Sequence, residues 1–445
     1  MKIGMLLQFY LASLVAQVQT LLLAMRHNRP YYYFTSYVVF VVFSIYNHIP
    51  FFIVIAPLLV FILSLFIATD DFPHMYYMKQ SPFSATLIQK TPKLQEPYKC
   101  PLKVLSGHLL TTYTSQRPSP YSFSYTRVVV NCIDGGVCGL DILDNDIPDT
   151  ASVVLLVPGA VGDTKSLYIK KAVKKFSDEG FRPIVLIKRG LSGLPLKTPK
   201  IYNALNCEDI HDAVKVLHQK CPNAYVNVVG YSLGASQVVR LSYQYSSELL
   251  QYNVNSCAGV CVPWGLSALD IPDLYSKKLA GEYVDIITNN KELFENVVVD
   301  NKKVYDLDDI KDINLTQLEQ KVITPMFGYK SVEAYHWDAE QWFQNLPCTK
   351  IPTFTINSFD DPVCNDQSYS YLRVKAISGF SPFVITSYTQ RGGHCIFSDS
   401  MDDTTLSYAD GNVSAFIKSV EEMNKSGALA NYVKDAEDQF KWINE

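Results

Sequence analysis

The sequence predicts an α/β fold: a mainly parallel central sheet covered by helices, carrying a helical insertion and preceded by membrane-spanning helices. Three observations carry that prediction. Short apolar runs alternate with amphipathic helical patterns through most of the chain, the alternation lapses once, and the N-terminus is almost free of ionic side chains.

The apolar runs are Arg127 to Val130, Val153 to Val157, Ile184 to Ile187, Tyr225 to Val229, Ala258 to Val262, Thr353 to Ile356 and Phe383 to Ser387. Helical patterns fall between several of them. Tyr168 to Gly180 repeats apolar residues at Ile169, Val173 and Phe176, and Asp209 to Lys220 repeats them at Ile210, Val214 and Leu217. Strands separated by helices of this length close parallel pairs. Between Trp264 and Leu346 the sequence turns charged and helical, which marks residues 264–346 as an inserted lid.

No Asp, Glu, Lys or Arg lies between Lys2 and Arg26, or from Pro30 to Thr69. The run Ile49 to Thr69 reaches the about 20 apolar residues that a spanning helix needs. Residues 1–75 are therefore read as a membrane anchor of one to three transmembrane helices, the strongest at 49–69. Residues 76–101, of which Ser81 to Pro101 are rich in Pro, Lys and Gln, read as a linker, and 102–445 as the catalytic body. This makes the protein an integral membrane protein, with the endoplasmic reticulum or another endomembrane favoured, and leaves the side occupied by the body open.

Composition excludes other classes. With 48% hydrophobic and 18% charged residues the chain is neither disordered nor fibrous, and its net charge of −4 offers no basic surface for nucleic acid. Its 10 cysteines form no CxxC pair and no zinc spacing, so no metal is expected. Cys132 and Cys138 flank a hairpin turn, and either a disulfide or two free thiols fits that spacing.

The chemistry centres on Gly230-Tyr231-Ser232-Leu233-Gly234, a G-x-S-x-G sequence directly after an apolar strand and directly before a helical run. That context is a nucleophile elbow, where small residues two positions either side let the backbone turn sharply at the serine. A serine hydroxyl needs a base, and the base an orienting carboxylate. Downstream of Ser232 the histidines are His336, inside the insertion and read as a packing residue, and His394, just past the last strand. Asp360 and Asp361 both follow the Thr353 to Ile356 strand, and both remain candidates for the acid. Val157-Pro158-Gly159-Ala160 ends an earlier strand, and there the amide of Ala160 joins that of Leu233 as an oxyanion hole.

These residues resemble the α/β-hydrolases of the YheT-like branch, which includes membrane-anchored lipases and fatty-acid ethyl-ester synthase/esterases. The likeness runs from about Tyr125 to Ser400. It includes Asp134-Gly135-Gly136, Lys188-Arg189-Gly190, Phe327-Gly328-Tyr329-Lys330-Ser331, Asp360-Asp361-Pro362 and Gly392-Gly393-His394. The resemblance implies a triad of Ser232, Asp361 and His394, with Asp361 taken over Asp360 from the register of its Asp-Pro. Pro158 departs from the histidine common at that place, and Cys364 and Asn365 replace small or proline residues. The resemblance further implies an ester hydrolase without cofactor, acting on acyl lipids at the bilayer through an acyl-serine. Acyl transfer to an alcohol is the alternative, and an inactive scaffold a second one. His394 with Asp399 also spells the H-x-x-x-x-D of some acyltransferases, read here as coincidence. The sequence says nothing of oligomeric state.

Overall fold

The computed structural model describes residues 38, 41–42, 55, 59, 68–101, 106–115, 119–299, 302–303, 307–364, 369–398, 404 and 406–441. Its centre is a sheet of nine strands: β1 His74–Tyr77, β2 Tyr125–Asn131, β3 Val137–Leu143, β4 Val153–Val157, β5 Arg182–Ile187, β6 Val226–Tyr231, β7 Val254–Val260, β8 Thr353–Ser358 and β9 Val384–Thr389. In space they run β1-β9-β8-β7-β6-β4-β5-β3-β2. Strands β4 to β9 are parallel to their neighbours within that set, while β1, β2 and β3 join antiparallel.

The parallel strands are buried on both faces, which is why they read as continuous apolar runs and not as alternation. Along β4, Val154 and Leu156 enter one core while Val153, Leu155 and Val157 enter the other. The helices of the chain include α1 Pro82–Lys90, α2 Gly107–Ser115, α3 Leu167–Asp178, α4 Glu208–Lys220, α5 Leu233–Gln244, α6 Asp273–Asn289 and α7 Tyr408–Lys425. Helices α3 and α7 cover one face through Val173, Phe176, Phe416 and Val420. The other face is covered by α4 and α5 through Ile210, Val214, Val238 and Leu241. Burying a side chain of this size contributes about 1.5–3 kcal/mol.

The described residues of 264–346 are mostly helical, with a short antiparallel pair of Val298–Val299 and Lys302–Lys303, and many of them join a separate apolar cluster. Tyr283, Ile287, Phe294 and Val322 of the insertion pack there against Ile201 and Tyr202 of the body.

The N-terminal expectations need correction where the structure describes them. The segment 76–101 is not a linker. It holds β1's end and α1, whose Phe83 and Leu87 are buried in the main core, and Ser81 and Ser84 donate to the Pro382 carbonyl just before β9. The Pro-, Lys- and Gln-rich composition hid a helix with one apolar face. The spans expected within residues 1–75 lie largely outside the described residues. The end of the 49–69 run departs from a helix: Ala68–Asp71 is a strand paired antiparallel with Tyr98–Pro101. Among the described residues no helix is long and apolar enough to cross a membrane. Cys132 and Cys138 are both buried free thiols.

Candidate active site

Ser232 sits between β6 and α5 with φ 54° and ψ −122°, a left-handed conformation that side chains rarely adopt. Its N–H donates to the Val260 carbonyl at 2.9 Å, pinning the turn to the neighbouring strand. The flanking glycines are required by close approach. A Cβ at Gly230 would stand 2.3 Å from the Gly234 carbonyl oxygen, and one at Gly234 would stand 2.3 Å from that of Val157.

The structure brings the three residues of the expected triad together. His394 Nε2 lies 2.8 Å from Ser232 Oγ, and His394 Nδ1 lies 3.1 and 2.9 Å from the two oxygens of Asp361. Asp361 is 1% exposed, and its Oδ1 also accepts the N–H groups of Val363 and Cys364, each at 2.8 Å. Cys364, where the family pattern is broken, thus supplies an amide to the acid and leaves its geometry intact. Burial opposes a charged imidazole at His394, but the adjacent Asp361 carboxylate outweighs it and holds the pKa well above the usual 6.5.

Asp360 does a different job, accepting the N–H of Gly393 at 2.9 Å. His336 pairs with Glu319 at 2.9 Å inside the insertion and is not part of this group. Asp399 and Asn365 lie outside the described residues.

Supports that the sequence did not reveal hold the histidine loop. Thr111 Oγ1 on α2 accepts the His394 N–H at 2.9 Å, and Asp71 accepts that of Arg391 at 2.9 Å. Neither residue carries a local motif, and both reach the loop only through the fold.

Ala160 and Leu233 both line the cavity that holds Ser232 and His394. Their backbone N–H groups have no acceptor among the described residues, and Leu233 opens α5, where the first amides of a helix are unpaired and its dipole favours negative charge. The cavity has a volume of about 560 Å³ and is walled by apolar side chains, among them Leu266, Leu269, Ile271, Leu279, Leu318 and Ile323. Most of these come from the insertion.

Around His394, ligand atoms of Cys261 and Cys395 form one set within 4.8 Å of one another, and those of Asp361 and Cys364 form another. A metal held by either set would compete with the bonds that the imidazole nitrogens make to Ser232 and Asp361.

Serine, acid and histidine follow one another along the chain at the C-terminal ends of β6, β8 and β9. That order, on a sheet with this strand sequence, is the arrangement of the α/β-hydrolase fold. No protein-family profile matches the chain. Its relatives agree with the fold. It is 28% identical over 365 residues to Protein abhd-3.2 of Caenorhabditis elegans, covering 77% of this chain and 92% of that protein. It is 25% identical over 357 residues to the human Phospholipase ABHD3, covering 76% and 83% respectively. To the Monoacylglycerol lipase of Saccharomyces cerevisiae it is 26% identical over 342 residues, covering 65% and 74%.

Proposed function

We propose that the protein is a serine hydrolase that cleaves carboxylic esters of acyl lipids. One observation carries this reading: the hydrogen-bonded chain Asp361–His394–Ser232 lies at the wall of an apolar cavity large enough for an acyl chain. The names of the relatives, a phospholipase and a monoacylglycerol lipase, support the same substrate class.

Ser232 Oγ attacks the ester carbonyl as His394 Nε2 takes its proton, and Asp361 stabilises the imidazolium so formed. The amides of Ala160 and Leu233 receive the oxyanion. Collapse of the tetrahedral adduct expels the alcohol, which leaves with the proton from His394 and puts the acyl group on Ser232. Water then gives a proton to His394 and attacks the acyl-serine. Breakdown releases the fatty acid and returns the proton to Ser232. The insertion acts as the lid over the acyl chain, and the apolar run at 49–69 attaches the enzyme to an endomembrane.

Fluorophosphonate labelling of wild type against Ser232→Ala tests the nucleophile. Labelling of wild type alone, followed by release of fatty acid from glycerolipid vesicles, is the expected result. A folded protein that takes no label is instead a scaffold, and acyl ester appearing in place of free acid when ethanol is added makes it a transferase. Extraction of the full chain from membranes by alkaline carbonate would overturn the attachment.

A further inference from the structure

Lys188 directly follows β5 and is 3% exposed. Parallel pairing sets Leu156 of β4 beside Val185 of β5, so three residues further along each strand Lys188 stands level with Gly159. Its ammonium donates to the carbonyl of Pro158 and, at 2.9 Å, to that of Gly159. It also lies 5.5 Å from the centroid of the Tyr202 ring. The remaining polar group of this short stretch, the Gly159 N–H, donates to Tyr168 Oη at 2.8 Å. Proline has no N–H, so every polar backbone group of Pro158 and Gly159 is engaged, by these two side chains and by the Gly162 N–H, which donates to the Gly159 carbonyl at 3.3 Å. The next amide, that of Ala160, has no acceptor among the described residues.

The peptide between Gly159 and Ala160 is trans, and a trans peptide points its C=O and N–H to opposite sides. Anchoring the Gly159 carbonyl on Lys188 therefore turns the Ala160 N–H away from the lysine, toward the cavity that Ala160 shares with Ser232. A cation on the carbonyl also draws electron density through the amide and makes its N–H a stronger donor. The arrangement is costly for stability. Burial pushes the Lys188 pKa down to about 7, with Asp209 only partly opposing. An apolar side chain of equal length would fill the space without that penalty.

We propose that Lys188 is a positioning residue for oxyanion stabilisation, clamping the Pro158 and Gly159 carbonyls so that the Ala160 amide is aimed at the tetrahedral oxyanion formed on Ser232. Tyr168 holds the same loop from its amide side. The proposal rests on the reading of Ser232 as the nucleophile.

The test compares Lys188→Met and Tyr168→Phe with wild type in the full-length protein. The readouts are kcat and KM on a lipid ester, and affinity for a long-chain trifluoromethyl ketone, whose adduct on the serine carries the oxyanion. Losing one oxyanion donor typically costs about 100-fold or more in rate. For Lys188→Met we expect kcat to fall about 100-fold with KM within about threefold, and ketone affinity to fall in parallel with kcat/KM. Tyr168→Phe should move the same quantities about tenfold. A loop strap of purely structural importance would lower the melting temperature or raise KM without weakening the ketone selectively, and that result overturns the proposal. Should Lys188→Met not fold, an unchanged kcat and ketone affinity in Tyr168→Phe overturns it instead. A wild type that neither reacts with the ketone nor turns over ester refutes the hydrolase reading itself.

Discussion

The carboxylate of Asp360 accepts the backbone N–H of Gly393 at 2.9 Å, one residue before the histidine that Asp361 engages. Two adjacent aspartates thus hold the same loop by different means. Asp360 fixes the backbone on which His394 hangs, and Asp361 fixes the ring. Asp361 is buried and Asp360 is partly so, and desolvation pushes the Asp360 carboxyl up to about 6, so its bond to Gly393 is strongest when it is ionised near neutral pH.

This division predicts unequal substitutions. Asp361→Asn should lower kcat/KM about 10⁴-fold, because an amide cannot stabilise the imidazolium and favours the wrong tautomer. Asp360→Asn keeps an oxygen acceptor for Gly393 and should cost less than about tenfold. Steady-state kinetics on one ester decide it: equal losses in the two variants would refute the separation of roles.

The pH profile follows from the raised pKa of His394. The ring must be neutral to take the Ser232 proton, and it is cationic below its pKa. Activity should therefore fall as pH falls through a value above 6.5, giving an acid limb of kcat/KM displaced to higher pH than that of a free imidazole. Removing the carboxylate leaves burial as the dominant influence, which disfavours the cation. In Asp361→Asn the limb should move to lower pH while the plateau drops. A limb that stays in place would show that Asp361 does not set the ring's charge.

How much of this was readable beforehand depends on how local each feature is. The elbow at Ser232 lies within five residues and a strand–helix context, so a motif captures it. The buried strands β4 and β6 announce themselves as unbroken apolar runs. Asp360 and Asp361 are separated only by the family resemblance, through the register of Asp361 with its proline, because neighbours of identical chemistry differ only in where the folded loop points them. Thr111 and Asp71 act across sequence separations that no local pattern encodes, and the Lys188-Arg189-Gly190 motif does not tell that Lys188 reaches Pro158 and Gly159. The polar composition of 76–101 was misleading for another reason: α1 buries only one stripe, and Phe83 and Leu87 are too few to stand out.

Backbone strain at Ser232 should be measurable. Its left-handed φ is tolerated by glycine and strained for any residue with a Cβ, at about 1–3 kcal/mol. Ser232→Gly and Ser232→Ala both remove the nucleophile, yet only glycine releases the strain. After the extra chain entropy of glycine is offset, we expect Ser232→Gly to be more stable than Ser232→Ala by about 1 kcal/mol. Denaturant unfolding of the two inactive variants checks this, and a glycine variant less stable than the alanine one by the about 0.4–1 kcal/mol of its extra chain entropy would mean the elbow stores no strain.

Arg189 ties the opening hairpin to the sheet. It is 2% exposed and contacts Asp134 at 2.9 and 2.8 Å and Asp209 at 2.7 and 2.5 Å. Against the opposing effect of burial, it holds the Asp134 carboxyl at about 2. Arg189→Met would strand the buried Asp209, while Asp134 keeps Lys200 at 3.3 Å, and should destabilise the fold by about 3 kcal/mol. Because the folded pKa of Asp134 is depressed, its stabilisation is present above the ordinary 3.8 and lost as pH falls toward 2. That acid-side loss should shrink in Arg189→Met. A variant as stable as wild type would show that the pair contributes only specificity.

The cavity predicts how activity depends on acyl length. Each methylene moved from water into an apolar wall contributes about 0.8 kcal/mol, or roughly fourfold in kcat/KM where the transition state keeps the contact. In a series of esters differing only in the acyl chain, kcat/KM should climb by about that factor per carbon. It should level once the about 560 Å³ between Ser232 and the insertion is filled. Leu279 on α6 lines the cavity and is only half-buried, so a polar residue there does not threaten the fold. Leu279→Asp places a carboxylate beside the chain and should flatten the climb for long esters while sparing the shortest, which do not reach it. A steep series that Leu279→Asp leaves unchanged would place the acyl chain elsewhere. A flat series in wild type would remove the apolar cavity from substrate selection altogether.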